Sequence, residues 1–183
     1  MVSIANSGII LRIGASCLLV AFCWCSGLLT WASAGELAPI EDPAPRELSG
    51  KTLDGLPWHL EDYRGRVVLV NFWAGWCASC LDEMPGLTHL NARLRGQPFV
   101  MVSVNVGEPE RRVSTLVRQL GIETPVLLDP DSAAFARWGA TVLPTTYVLD
   151  SEGRARLVGQ GSLDWDDPEI LGSIERLIPK HRH

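Results

Sequence analysis

The sequence predicts an α/β fold with a central β-sheet of mixed strand direction flanked by helices. Two long runs, residues 67–73 and 99–106, are almost wholly apolar, the pattern of strands buried on both faces. Segments with apolar residues at steps of three and four alternate with those runs, which is the helical period. Toward the C-terminus, two more strand-like stretches are separated only by the turn Asp150-Ser151-Glu152-Gly153, a hairpin that makes the sheet mixed.

In chain order, residues 1–34 form a leader. Arg12 is the single charge there, and it precedes 19 uncharged residues from Ile13 to Trp31. Ala32-Ser33-Ala34 then supplies an Ala-x-Ala pattern of the kind cut by signal peptidase. The apolar length exceeds the roughly 7–15 residues of a usual signal core and comes close to the ~20 that span a bilayer. A cleaved signal peptide and a retained N-terminal membrane anchor both fit, and either would deliver the rest of the chain to the periplasm or the outer face of the membrane. Residues 35–46 carry Pro39, Pro43 and Pro45 among acidic neighbours and are expected to be a linker. Residues 47–183 are expected to fold as one domain.

Within that domain a hairpin is predicted over 47–60, turning at Asp54-Gly55. After the strand 67–73, a helix is predicted from about Cys77 to Arg95, with Leu81, Met84, Leu87, Leu90 and Leu94 on one face, a kink at Pro85 and a stop at Gly96. The strand 99–106 leads into a helix over 109–120 with Pro109 in its first turn and Val113, Leu116, Val117 and Leu120 as its apolar face. A short strand at 125–128, a helix at 131–138, strands at 145–149 and 154–160, and a helix over 167–178 started by Pro168 complete the domain.

With 46% hydrophobic residues in 183, the chain can bury a sizeable core. A net charge of −5 with no basic cluster argues against a nucleic-acid partner. Of five cysteines, Cys17, Cys23 and Cys25 lie in the leader, leaving Cys77 and Cys80 in the domain. A bridge between residues so close adds little loop-closure stabilisation, because that term grows with loop length, so a redox role fits the pair better than a structural staple. Half of a zinc site would need two more Cys or His ligands. His59, His89, His181 and His183 stand at no such spacing, so no metal and no other cofactor is implied. His59 and His89 are expected on the surface or in packing.

The pair ends a buried strand and opens a helix. Helix N-termini carry unpaired N–H groups and partial positive charge, which favour the thiolate, and the thiolate is the form that attacks a disulfide. Cys77, at the helix start, is the expected nucleophile. Cys80, one turn further, is placed to resolve the mixed disulfide. Trp76 is expected to present an apolar contact surface beside the nucleophile, with Trp73 in the core and Trp138 and Trp165 in packing roles. Glu83 is expected on the helix surface.

Four stretches together resemble the extracytoplasmic TlpA/ResA/CcmG type of thioredoxin-fold thiol–disulfide oxidoreductase, over about residues 45–180. They are Val70-Asn71-Phe72-Trp73-Ala74 running into Trp76-Cys77-x-x-Cys80, then Glu83-Met84-Pro85, Val104-Asn105-Val106-Gly107-Glu108, and Gly139 through Leu143-Pro144-Thr145-Thr146-Tyr147-Val148-Leu149-Asp150. The resemblance implies a thioredoxin fold with an N-terminal hairpin and a central αβ insertion over 109–128. It also implies a cis Leu143-Pro144 bond facing the cysteines, with Trp76, Leu143, Pro144 and Thr145 meeting an extended substrate segment. Glu108 matches an acid that lies near the pair. A raised pKa there would let it shuttle the proton of Cys80, while the plainer reading is a helix-start residue. Many relatives carry Pro between the cysteines. This chain has Ala78-Ser79, two redox-tuning positions, and Ser79 can donate to the Cys77 sulfur.

The resemblance implies a reductase of protein disulfides supplied by a membrane thiol donor. Its substrates in relatives include the haem-binding cysteines of apocytochrome c, in cytochrome c biogenesis, and copper-site assembly proteins. Two alternatives stay open: a disulfide-forming oxidase, and a metal-binding or metallochaperone module using the same thiols. Copper-carrying relatives usually have wider cysteine spacing and a partner His. A peroxidase would carry its Cys in a Pro/Thr-rich loop, which Trp76-Cys77-Ala78-Ser79-Cys80 is not.

Overall fold

The computed structural model describes residues 35–41, 44 and 46–180. The leader with Cys17, Cys23 and Cys25, and the terminal His181 and His183, lie outside the described residues. Eight strands and four helices follow in the order β1 (Leu37–Pro39), β2 (Ser49–Lys51), β3 (Pro57–His59), β4 (Val67–Trp73), α1 (Ala78–Arg93), β5 (Phe99–Val106), α2 (Glu110–Leu120), β6 (Val126–Asp129), α3 (Ala133–Arg137), β7 (Thr145–Leu149), β8 (Ala155–Gln160) and α4 (Pro168–Glu175). A 3₁₀ turn, Leu60–Tyr63, joins β3 to β4.

The main sheet has six strands in the order β1-β8-β7-β4-β5-β6. β4 pairs in parallel with β5 and antiparallel with β7, so the mixed direction arises at the centre of the sheet. The crossover from β4 to β5 runs through α1, as parallel neighbours require. The insertion adds α2 and the strand β6, which lies parallel to β5 at one edge. β2 and β3 form the separate hairpin, with Gly55 at positive φ in its turn.

The linker expected at 35–46 is corrected in part. Leu37–Pro39 is the opposite edge strand, antiparallel to β8 with Leu37 buried. Three prolines hid it, but Pro39 ends a strand at the sheet edge, where a missing N–H costs little. α1 continues through Pro85 without a break. Pro109 caps α2 from outside rather than occupying its first turn. Pro168 does sit at the start of α4, where Asp167 accepts the Glu169 N–H at 2.7 Å.

Every residue of β4 is buried, and the alternation along it sorts the core into two layers. Val67, Leu69 and Trp73 face Leu87, Leu90, Val148 and Ile174. Val68, Val70 and Phe72 face Trp138, Tyr147 and Leu149. In the second layer Trp138 meets Tyr147 edge-on at 5.1 Å, and the Tyr147 hydroxyl donates to the Trp138 carbonyl at 2.7 Å. Asn71 falls on the first face, between Leu69 and Trp73, and is the polar exception in the strand.

Leu90 is fully buried at the centre of the first layer. Leu90→Ala is expected to lower stability by about 2–5 kcal/mol, read from the urea midpoint with an unchanged m value. A loss under about 1 kcal/mol would contradict this packing.

Candidate active site

β4 ends at Trp73, and residues 74–77 turn the chain into α1. Cys77 is the N-cap of that helix, with extended backbone at φ −92° and ψ 101°. Its carbonyl accepts the N–H groups of Cys80 at 3.1 Å and Leu81 at 3.2 Å. Its sulfur also accepts the Cys80 N–H, at 3.2 Å, so a thiol stands where a Ser or Asp cap commonly would. The Ser79 hydroxyl lies 3.5 Å from the same sulfur. Cys77 and Cys80 are joined as a disulfide with Cα atoms 5.3 Å apart. Cys80 is completely buried and Cys77 retains slight exposure, so the pair meets solvent through Cys77.

The Leu143–Pro144 bond is cis. Thr145 pairs with Phe72 across β7 and β4, which brings residues 142–144 out at the same end of the sheet as the turn 74–77. The Thr145 side chain is buried and donates to the Val142 carbonyl at 2.6 Å, so it shapes the loop from within. Trp76 is 67% exposed and Val142 46% exposed, the two large apolar surfaces at this end. Trp73, Trp138 and Trp165 are buried.

Glu83, expected on the helix surface, is instead 4% exposed. It accepts hydrogen bonds from Asn71 Nδ2 at 2.9 Å, and from the Leu163 N–H and Trp165 Nε1, each at 3.2 Å. Burial pushes its carboxyl up from 4.5 to about 7, against the lowering effect of these bonds. The signal was in the sequence: Cys80, Glu83, Leu87, Leu90 and Leu94 step by three and four, so Glu83 lies on the inward face one turn beyond Cys80.

Glu108 is buried as well, but its titration runs opposite to the raised pKa expected of a proton shuttle. Burial pushes its carboxyl up, yet hydrogen bonds from Asn105 Nδ2, the Gly75 N–H and Arg112 outweigh that and hold it below 4.5. Those contacts measure 2.9, 2.5 and 2.6 Å respectively. Glu108 is therefore an ionised clamp on the active-site turn, and Glu83 is the carboxyl that titrates near neutrality. Asn71 and Asn105 stand in the motif stretches with no role of their own, and Gly75 and Arg112 stand outside them, because the roles of all four appear only when β4, the turn 74–77, β5 and α2 are brought together.

Neither described histidine stands in this site: His59 is in β3, and His89 lies on the exposed side of α1, 3.5 Å from Asp166. Among the described residues, no three His, Cys, Asp or Glu side chains are grouped to hold a metal ion.

The raised carboxyl of Glu83 makes stability pH-dependent. Between about pH 4.5 and 7 the folded protein holds a proton that the unfolded chain has released, so stability falls as pH rises through that window. Glu83→Gln should flatten urea stability from pH 5 to 8, removing a fall on the order of 3 kcal/mol at most. An identical slope in the variant would contradict the assignment.

The AhpC/TSA family matches residues 40–158. The thiol-disulfide oxidoreductase ResA of Geobacillus thermodenitrificans is 33% identical over 127 residues, 69% of this chain and 72% of that protein. A thiol:disulfide interchange protein of the thioredoxin family from Chlorobium tepidum has a structure similar at TM-score 0.66, with 27% identity, covering 76% of this chain and 99% of that one. A DsbF homologue from Corynebacterium diphtheriae is similar at TM-score 0.66 with 27% identity, covering 79% and 94%. With a Cys77–Cys80 disulfide at the start of α1 on a thioredoxin fold, the chain belongs to the AhpC/TSA family and is a thiol–disulfide oxidoreductase similar to ResA.

Proposed function

We propose that the protein is an extracytoplasmic reductase of protein disulfides, delivered across the membrane by its apolar leader. The observation that carries the reading is Cys77 at the N-cap of α1, its sulfur bonded to the Cys80 N–H, with Cys80 buried behind it.

In the reduced enzyme the Cys77 thiolate attacks one sulfur of a substrate disulfide. A mixed disulfide forms and the first substrate thiolate leaves. Cys80 then gives its proton to the Glu83 carboxylate, a base with a pKa of about 7, and attacks the Cys77 sulfur. The second substrate thiolate departs and takes up a proton, and the enzyme is left as the Cys77–Cys80 disulfide. Two electrons have passed to the substrate, and a membrane thiol donor returns them. Trp76 and Val142 offer the apolar landing surface, and the backbone of Leu143 and Pro144 borders an extended substrate segment.

The charge layout favours the reducing direction. A strongly oxidising pair is one whose reduced form is stabilised. Here Ala78 and Ser79 put no cation between the cysteines, and two buried carboxyl groups adjoin the turn, Glu83 three residues after Cys80 and Glu108 on the Gly75 N–H. The substrate classes of the resembled type, apocytochrome c thiol pairs and copper-site assembly proteins, present disulfides of the kind this site can reduce.

Equilibration with glutathione or dithiothreitol should give a potential nearer about −270 mV than about −120 mV. A value at the oxidising end would turn the assignment to disulfide formation. Cys80→Ser should accumulate mixed disulfides through Cys77 in an extracytoplasmic fraction; accumulation only in Cys77→Ser would reverse the two roles.

A further inference from the structure

We propose that Arg112 and Leu116 of α2 are positioning residues that hold the turn 74–77 and set the nucleophilicity of Cys77. The inference rests on the dithiol chemistry proposed above. Glu108, Arg112 and Leu116 recur every four residues along the entry and body of α2, which aligns them on one edge. Glu108 and Leu116 bear on Gly75 directly, and Arg112 acts on it through Glu108. Glu108 Oε2 accepts its N–H at 2.5 Å, and Arg112 Nε donates to Glu108 Oε1 at 2.6 Å. Leu116 Cδ1 lies so close over Gly75 that a Cβ there would overlap it, and the same Cβ would stand 3.1 and 3.2 Å from the two Glu108 oxygens. A side chain at 75 would have to displace the ends of Leu116 and Glu108, so Gly75 is favoured here by close approach rather than by φ, its backbone not being among the positive-φ glycines.

Gly75 is two residues before the nucleophile, and the Cys77 N–H closes the turn around it by donating to the Ala74 carbonyl at 3.2 Å. A hold on Gly75 is therefore a hold on the backbone that aims the Cys77 sulfur at the Cys80 N–H. The charges around Cys77 are Glu108 and Arg112 from the β5–α2 side, and Glu83 with the exposed Asp82 from α1; residues 142–145 before and at the start of β7 carry none. An ionised Glu108 opposes a thiolate nearby, and the guanidinium in contact with it offsets that opposition. The Arg112 side chain is 55% exposed, so its influence is modest and sensitive to salt.

The test is the rate of iodoacetamide alkylation of Cys77 against pH in the reduced protein, with thermal unfolding recorded in parallel. Arg112→Ala should move the midpoint up by about half a unit, slowing alkylation about threefold below it. The gap should narrow in about 1 M salt, and Arg112→Lys should restore most of the rate. Leu116→Ala should also raise the midpoint, but with little response to salt, because it loosens the turn without changing charge. Profiles of both alanine variants superimposed on a wild type that does show a low-pKa Cys77 would overturn the clamp alone, whatever the unfolding temperatures. A wild type with no Cys77 thiolate below about pH 8.5 would overturn the nucleophile assignment and this proposal with it.

Discussion

The hydrogen bond from the Cys80 N–H to the Cys77 sulfur, 3.2 Å long, is the interaction on which the site depends. It makes Cys77, the proposed nucleophile, the cap of the helix it opens. One of the orphan donors of α1 is satisfied by sulfur, and the charge that stabilises a thiolate comes from the backbone rather than from a basic side chain. The bond exists only if the chain enters α1 at one place and angle. β4 supplies that: seven buried residues between β5 and β7 leave the strand no freedom to slide, since a shift of one residue would turn Asn71 away from Glu83 and swap the side chains that fill the two core layers.

Two buried carboxylates flank this arrangement, and their surroundings push them apart. Glu83 is enclosed by α1, β4 and the segment before α4, with Trp165 and Leu163 as donors and no cation among its partners, so burial dominates and the proton is held to about pH 7. Glu108 receives a guanidinium and two N–H donors and stays ionised. In the proposed mechanism one takes the proton of Cys80, while the other holds the backbone at Gly75. The same residue type serves two ends because desolvation wins in one place and hydrogen bonding in the other.

Much of this was legible in the sequence. The apolar runs gave β4 and β5, Pro168 after Asp167 marked α4, and the Trp76-Cys77-x-x-Cys80 motif marked the chemistry. β1 was hidden because three residues beside prolines carry no periodicity; its existence depends on β8 offering an edge. The surface placement expected of Glu83 failed because residue type was weighed above position. The raised pKa expected of Glu108 is not found because a carboxylate's pKa depends on its partners, here Asn105 in β5, Gly75 in the turn 74–77, 33 residues away, and Arg112 in α2, four residues away. Gly75 is the clearest case of a tertiary contact: nothing in Ala74-Gly75-Trp76 says that a leucine from another helix lies on it.

The most direct measurement is the ultraviolet thiolate titration of the reduced protein. The account predicts a first midpoint clearly below the ordinary 8.5 or so of a free thiol, kept in Cys80→Ser and lost in Cys77→Ser. A first midpoint at or above about 8.5, or one that survives in Cys77→Ser, would contradict the claim that the helix cap makes Cys77 the nucleophile.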